Sequence, residues 1–196
     1  MATAPYADLP PRDDDLVPSP PSEWAMRRAM GAFGTGVAVV SALADDGPVG
    51  FACQAFASVS LDPPLVLFCA NRSGRSWRRI RDAGRFAVNV LGDDQHDVCS
   101  RFGSRRGARF AGLDWTRSRW GTPALPGVLM RAHCDIEDVH TVGDHDVVIG
   151  RVLELESRED GQPLVFFRGR LGLDADVDAA PATRAWAWAY HWGWDS

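Results

Sequence analysis

The sequence predicts a mainly β fold, a β-barrel with short helices inserted between its strands, and three observations carry that reading. Strand-like runs such as VAVVSAL, RFAVNVL and HDVVIGRVLELES recur through the chain. Turn residues separate them, Asp45-Asp46-Gly47 being the clearest, with the spacing and chemistry of a hairpin. The helical patches are short and irregularly placed, so the regular strand–helix alternation of a doubly wound sheet is missing. With 196 residues, 45% of them hydrophobic, the chain can bury one sizeable core, and a single domain is expected.

Residues 1–21 are rich in proline, alanine and aspartate and have no hydrophobic period, so they are expected to form a mobile arm ahead of a domain at 22–174. Ser22 is placed to cap a short helix starting at Glu23, with Trp24, Met30 and Phe33 facing inward and Gly34 and Gly36 ending it. The hairpin VAVVSAL–DDG–PVGFACQAF follows. PPLVLFCA at 63–70 is a continuous apolar run, the mark of a strand buried on both faces. SWRRIRDAG at 76–84 reads as a helix capped by Ser76 and stopped by Gly84, RFAVNVL as a strand, and HDVCSRFG at 96–103 as a short helix or turn. Strands are expected around VLMRAHCDIEDVHTV, HDVVIGRVLELES and PLVFFRGRLG. After Asp174 the composition changes to a tail, 175–196, that holds four of the eight tryptophans in its last eleven residues.

A net charge of -5 argues against a nucleic-acid partner, which would need a basic surface. No run approaches the roughly 20 apolar residues that span a bilayer, and the first fifteen residues are acidic where a signal peptide is basic then apolar, so no membrane association and a cytoplasmic location are expected. Cys53, Cys69, Cys99 and Cys134 lie far apart and read as free thiols. No G-x-S-x-G elbow is present, so acyl-enzyme chemistry has no foothold.

Four segments carry candidate chemistry. GTGVAV at 34–39 starts like a dinucleotide fingerprint, but a strand rather than a helix follows, and it reads as a tight turn. The segment from Gly50 to Leu65 is rich in small residues, and its backbone amides beside Ser58 and Ser60 suit an anionic ligand or, alternatively, a tight corner. NRSGRSW at 71–77 places Arg72, Ser73, Arg75 and Ser76 ahead of a helix, a phosphate-binding arrangement or a solvated turn. In VGDHDVVIG, His145 follows Asp144 at the mouth of a strand, where it can position a ligand or shuttle protons or, alternatively, is an ordinary turn histidine. His133, Cys134, His140 and His145 are close in sequence, but His133 and Cys134 point to opposite faces of one strand, and no metal is expected.

Taken together these pieces resemble the short-chain flavin reductases, the reductase components of two-component flavin monooxygenases, and most nearly those serving aromatic and steroid-ring hydroxylases. The resemblance runs from about Met26 to Gly172 through FGTGVAVV, PVGFACQAFASVSLDPPLVLFC, GRSW, GRFAVNVL, SRFGS, RFAGLDW, GDHDVVIGRV and PLVFFRGR, in the family's order. It implies an FMN-binding split β-barrel, a homodimer with sites near the subunit interface, and hydride transfer from NADH or NADPH to FMN or FAD. It also implies a monooxygenase partner supplied with diffusible reduced flavin.

Carried over by position, flavin contacts fall on Pro48, Val49, Gly50, Phe51, Ala52, Gln54 and Ala55. They continue on Cys69, Ala70, Asn71, Arg75, Ser76, Arg101 and Phe102, with Ser58 and Ser60 added from the small-residue segment. Nicotinamide contacts fall on Asp144, His145, Phe166, Phe167, Arg168 and Gly169, with His145 in the catalytic position. The family often has T-x-N-S where Ala52, Gln54 and Ala55 stand, and the missing hydroxyls suit a loosely held, exchangeable flavin.

Two other readings keep the same fold: a flavoenzyme with tightly held flavin acting directly on an organic substrate, and a non-catalytic flavin-binding module. The GDH and FFRG motifs argue against the second. The tryptophan-rich tail reads as a segment for docking a partner or covering a dimer, or as packing over the barrel.

Overall fold

The computed structural model describes residues 19–104 and 109–172. Its elements are α1 (Glu23–Met30), β1 (Thr35–Gly36), β2 (Ala38–Ala44), β3 (Gly47–Cys53), β4 (Phe56–Leu61), β5 (Pro64–Asn71), α2 (Arg75–Ala83), β6 (Arg85–Val90), α3 (His96–Gly103), β7 (Thr116–Arg117), β8 (Pro123–Ala124), β9 (Met130–Val142), β10 (His145–Ser157), β11 (Val165–Phe167) and β12 (Arg170–Leu171). The expected arm falls largely, and the tryptophan tail wholly, outside the described residues.

Seven strands form an antiparallel sheet in the order β3-β2-β6-β9-β10-β5-β4. Its two end strands, β3 and β4, are separated in sequence by only Gln54 and Ala55, so the sheet must roll until its ends approach. Cross-strand contacts mark that closure: Cys69 N donates to Ala55 O at 3.0 Å, and the Cys53 thiol reaches Cys69 O at 3.7 Å. The result is the barrel expected from the sequence.

β2 is buried on both faces, as is β6, where Phe86, Ala87, Val88 and Asn89 are all covered. Ala38, Val40 and Ala42 join one core with Phe68, Trp77, Ile80, Phe86 and Val148, while Val39 joins a second core with Leu91, Phe102, Leu125 and Leu164. The expectation that residues 63–70 are buried on both faces is corrected. In β5, Val66, Phe68 and Ala70 are buried, and Leu65, Leu67, Cys69 and Asn71 alternate with them only half-covered. The second apolar face is present because Leu67 and Cys69 line a cleft.

Ser22 caps α1 as expected, accepting from Ala25 N at 3.2 Å, and the helix stops at Gly31, ahead of Gly34 and Gly36. Its apolar residues do not face inward: Trp24, Met30 and Phe33 are 55%, 53% and 69% exposed, because no element of the described fold packs on that side of α1. α2 begins one residue before Ser76, with Gly74 at the cap position and no side-chain cap, so the Ser76 hydroxyl is released for another contact. Gly84, at φ 71°, stops α2 as expected.

Candidate active site

A broad cleft of about 2900 Å³ opens between the β3 and β5 region, the N-terminus of α2, the start of β10 and the β11–β12 hairpin. Of the positions expected at the flavin, Pro48, Val49, Gly50, Phe51, Ala52, Gln54, Ala55, Cys69, Asn71, Arg75, Ser76 and Phe102 line it. The nicotinamide positions Asp144, His145, Phe166, Phe167, Arg168 and Gly169 line the same cleft.

Four expected positions do not. Ala70 sits in the core on the opposite face of β5, as strand alternation requires. Ser58 and Ser60 lie on β4 beyond the cleft wall, which ends at Ala57. Arg101 is exposed on α3 and donates to the Ala111 carbonyl instead.

Gly50 is fixed by packing. A Cβ there would lie 2.9 Å from Val40 O and 3.0 Å from the Phe102 ring, so only glycine lets β3 sit between β2 and α3. The Gly50 carbonyl accepts from Arg109 at 2.6 Å.

Arg109 is the residue that motif reading missed. Its guanidinium also donates to the Ser76 hydroxyl and to Ser104 O at 2.9 Å, so it ties β3, the N-terminus of α2 and the end of α3 together. Among the described residues no carboxylate pairs with it, and Arg75 stands close enough to repel it. Burial first, and the Arg75 charge second, lower its pKa below the usual arginine value. Two arginines, a serine hydroxyl and a helix N-terminus without an acid among them make a corner whose chemistry suits an anion. The legible signal was the basic run Arg105-Arg106-Gly107-Ala108-Arg109 ahead of Phe110.

At the start of β10 the alternation places neighbours on opposite faces. Asp146 is buried, accepting from Trp77 Nε1 at 2.8 Å and Thr141 Oγ1 at 2.9 Å, and so pins α2 to the sheet. Burial pushes its pKa up, but those two hydrogen bonds and the Arg72 and Arg81 charges outweigh this and hold it below the usual carboxylate range. His145 faces the cleft with 14% of its side chain exposed, its Nδ1 2.8 Å from Asp144 Oδ1. That hydrogen bond lowers the Asp144 pKa and orients the ring.

The β11–β12 turn is two residues long, Arg168-Gly169, with φ 48° and 80°. A hairpin of this kind favours asparagine or glycine first, and an arginine in the left-handed region costs about 1–2 kcal/mol. Its guanidinium lies 5.0 Å from the centre of the Phe167 ring, and its backbone N–H donates to Gly31 O at 2.8 Å. Thr35, paired with Phe166 across β1 and β11, has a buried hydroxyl without a hydrogen-bond partner among the described residues, and it too lines the cleft. Sequence reading passed over it because a lone threonine in a turn carries no motif.

The histidines and cysteine that are close in sequence are dispersed by the fold. His133 is buried between Thr122 Oγ1 (2.7 Å) and Glu156 Oε1 (3.0 Å), and His140 is exposed beside Asp138. His133, Glu154 and Glu156 do bring ligand atoms within 4.8 Å of one another, but Arg119, Trp120 and Arg131 already engage the two glutamates. All four cysteines are free, and burial pushes the thiols of Cys53, Cys99 and Cys134 up to about 12. Among the described residues no helix is long and apolar enough to cross a membrane.

Comparison with known proteins agrees with the fold. Residues 30–172 match the family model described as "Flavin reductase like domain". The chain is 48% identical over 151 residues, 76% of its own length and 77% of the relative's, to "Flavin-dependent monooxygenase, reductase subunit HsaB" of Rhodococcus jostii. It is 41% identical over 162 residues, 83% of its length and 92% of the relative's, to "FMN reductase (NADH) SmoA" of Agrobacterium fabrum. Among solved structures, nitrilotriacetate monooxygenase component B from Mycobacterium thermoresistibile aligns with a TM-score of 0.73 and 45% identity, covering 80% of this chain and 89% of the other. A rolled sheet with one shared cleft, matched over most of its length in sequence and structure, places the chain in the flavin reductase family, a mainly β split barrel.

Proposed function

We propose that the protein uses NADH to reduce flavin and supplies the reduced flavin to a separate monooxygenase. The carrying observation is that one cleft joins a carboxylate-free arginine corner to an aromatic strip ending in a strained arginine. The corner fits the phosphate end of FMN or FAD, and the apolar wall of Phe51, Leu67 and Val147 fits a flat ring system. The buried Thr35 hydroxyl, without a partner among the described residues, is a further group that a ligand can satisfy.

When bound, the two cofactors supply the redox chemistry, a hydride passing from nicotinamide to flavin. The chain's own task is to hold them. Arg75, Arg109 and Ser76 take the phosphate, and the backbone of Gly50 to Ala55 lies along the ring. His145, fixed by Asp144, and the Phe166–Gly169 strip orient the nicotinamide, and the apolar walls exclude water. Ala52 and Ala55, which line the cleft without hydroxyls, leave the flavin exchangeable. The relatives' names, a monooxygenase reductase subunit and an NADH-dependent FMN reductase, support the same reading.

A homodimer belongs to the proposal, supported by β4, an end strand that exposes Val59 (48%) and Leu61 (90%). A cytoplasmic location is supported by the four free cysteines. The test is one anaerobic assay crossing NADH and NADPH with riboflavin, FMN and FAD. NADH-driven bleaching of added FMN or FAD is expected. Bleaching confined to a flavin that stays on the protein through gel filtration, or none, contradicts the proposal.

A further inference from the structure

α1 is an eight-residue helix with no buried residue. A helix this short is not stable in water without a packed face. Met26 and Met30, four residues apart, share one side as an apolar patch and are 47% and 53% exposed; Phe33, at 69%, follows the end of the helix, and Trp24, two residues before Met26, presents a second side, with the Arg28 guanidinium over its ring at 5.3 Å. These residues form one rim of the cleft.

The chain beyond Gly172 has a pattern suited to that patch. Trp186, Trp188, Tyr190, Trp192 and Trp194 recur at every second position, with alanine, histidine or glycine between them. In an extended backbone, period two puts all five rings on one face, with small and polar groups on the other. Aromatic rings and methionine sulfur attract one another, and the two exposed methionines offer that contact.

The geometry of the exit favours this occupant. The β11–β12 turn is bonded to the C-terminal end of α1 through Arg168 N and Gly31 O at 2.8 Å, and the described fold ends three residues after that turn, at Gly172. Residues 173–185 then separate Gly172 from Trp186. A flexible link of that length has an average reach of about 20 Å, against about 12 Å for the length of an eight-residue helix. The tail is thus held at an effective concentration in the millimolar range beside the patch.

We infer that residues 186–194 dock in cis, through their aromatic side chains, on the exposed Met26–Phe33 side of α1. The inference does not depend on what the cleft binds.

Hydrogen exchange on the full chain tests it, compared with a variant whose five tail aromatics are replaced by serine and with Met30→Asp. Residues 23–33 are expected to exchange at least about tenfold faster in the serine variant, and Met30→Asp to speed exchange of residues 186–194 in return. Unchanged exchange in β2 and β6 shows that each variant is folded. Met30 is half-exposed, so Met30→Asp gives a reading even where the serine variant fails that control. Equal α1 protection with and without the aromatics, or a tail that exchanges at the unprotected rate in the full chain, overturns the inference. Protection that disappears on hundredfold dilution also overturns it, by assigning the face to a second copy. Protection independent of concentration supports docking in cis.

Discussion

Two polar regions of the barrel are built from the same residue types and end in opposite electrostatic states. On the β9–β10 side, His133 sits between Thr122 and Glu156, and Arg131 bridges Glu156, Asn89 and the Leu125 carbonyl. Arg119 and Trp120 hold Glu154 there. Every cation in that network has an acid. In the cleft, Arg109 is largely withdrawn from water, yet among the described residues it bonds carbonyls and a hydroxyl, with Arg75 rather than a carboxylate beside it. A buried charge is costly unless paired. The first region is therefore complete as it stands, and the second is the one that, under the proposed function, an anionic ligand completes.

The largest effect that separates the two is expected at Arg109. Arg109→Met should weaken FMN binding about 30-fold, the loss of one net charge and of the charge-assisted hydrogen bond that its one uncommitted N–H can give. Steady-state KM for FMN measures it. His133→Ala should do the reverse, lowering stability by about 2–3 kcal/mol by emptying a buried position and removing one hydrogen-bond partner each from Thr122 and Glu156, with FMN and NADH kinetics unchanged. Thermal unfolding beside a kinetic assay checks both halves, and a kinetic defect in His133→Ala would break the contrast.

His145→Ala should raise the NADH KM or lower kcat about tenfold with flavin affinity nearly unchanged. Wild-type parameters in that variant would remove His145 from the site. Arg168→Gly is the opposite kind of change: it relieves the left-handed backbone and should stabilise the fold by about 1 kcal/mol while raising the NADH KM. Stability without a rise in KM would make the arginine a mere turn residue.

The smallest effect is on acid stability. Asp146 has a folded pKa below its unfolded value, so its contribution is fully present above about pH 4 and is lost as pH falls through the lower, folded value. Asp146→Asn should flatten the pH dependence of urea unfolding in that window, and an unchanged slope would contradict the assignment.

Much of this was legible in the sequence because alternation and turn chemistry are local. The hairpin at Asp45-Asp46-Gly47, the stop at Gly84 and the strand pair joined at Gly143 all follow from residues a few positions apart. Burial was less legible, since it depends on what packs from outside. The apolar run 63–70 looked sealed on both faces because a ligand cleft also asks for apolar residues. The apolar side of α1 looked like core because the helical pattern is the same whatever covers it. The positions carried over fall on the cleft where strand phase turns them toward it, and Ala70, Ser58, Ser60 and Arg101 fall off it, where phase or strand limits turn the side chain elsewhere. Arg109 stayed hidden because its partners Gly50, Ser76 and Ser104 come from three different elements.

The measurement closest to the central claim is the affinity of the wild-type protein for FMN against riboflavin, which differ only by the phosphate, by anaerobic titration at fixed ionic strength. If the arginine corner holds that phosphate, FMN binds at least about tenfold more tightly, and Arg109→Met narrows the difference by weakening FMN alone. Equal affinities in the wild-type protein would contradict the account.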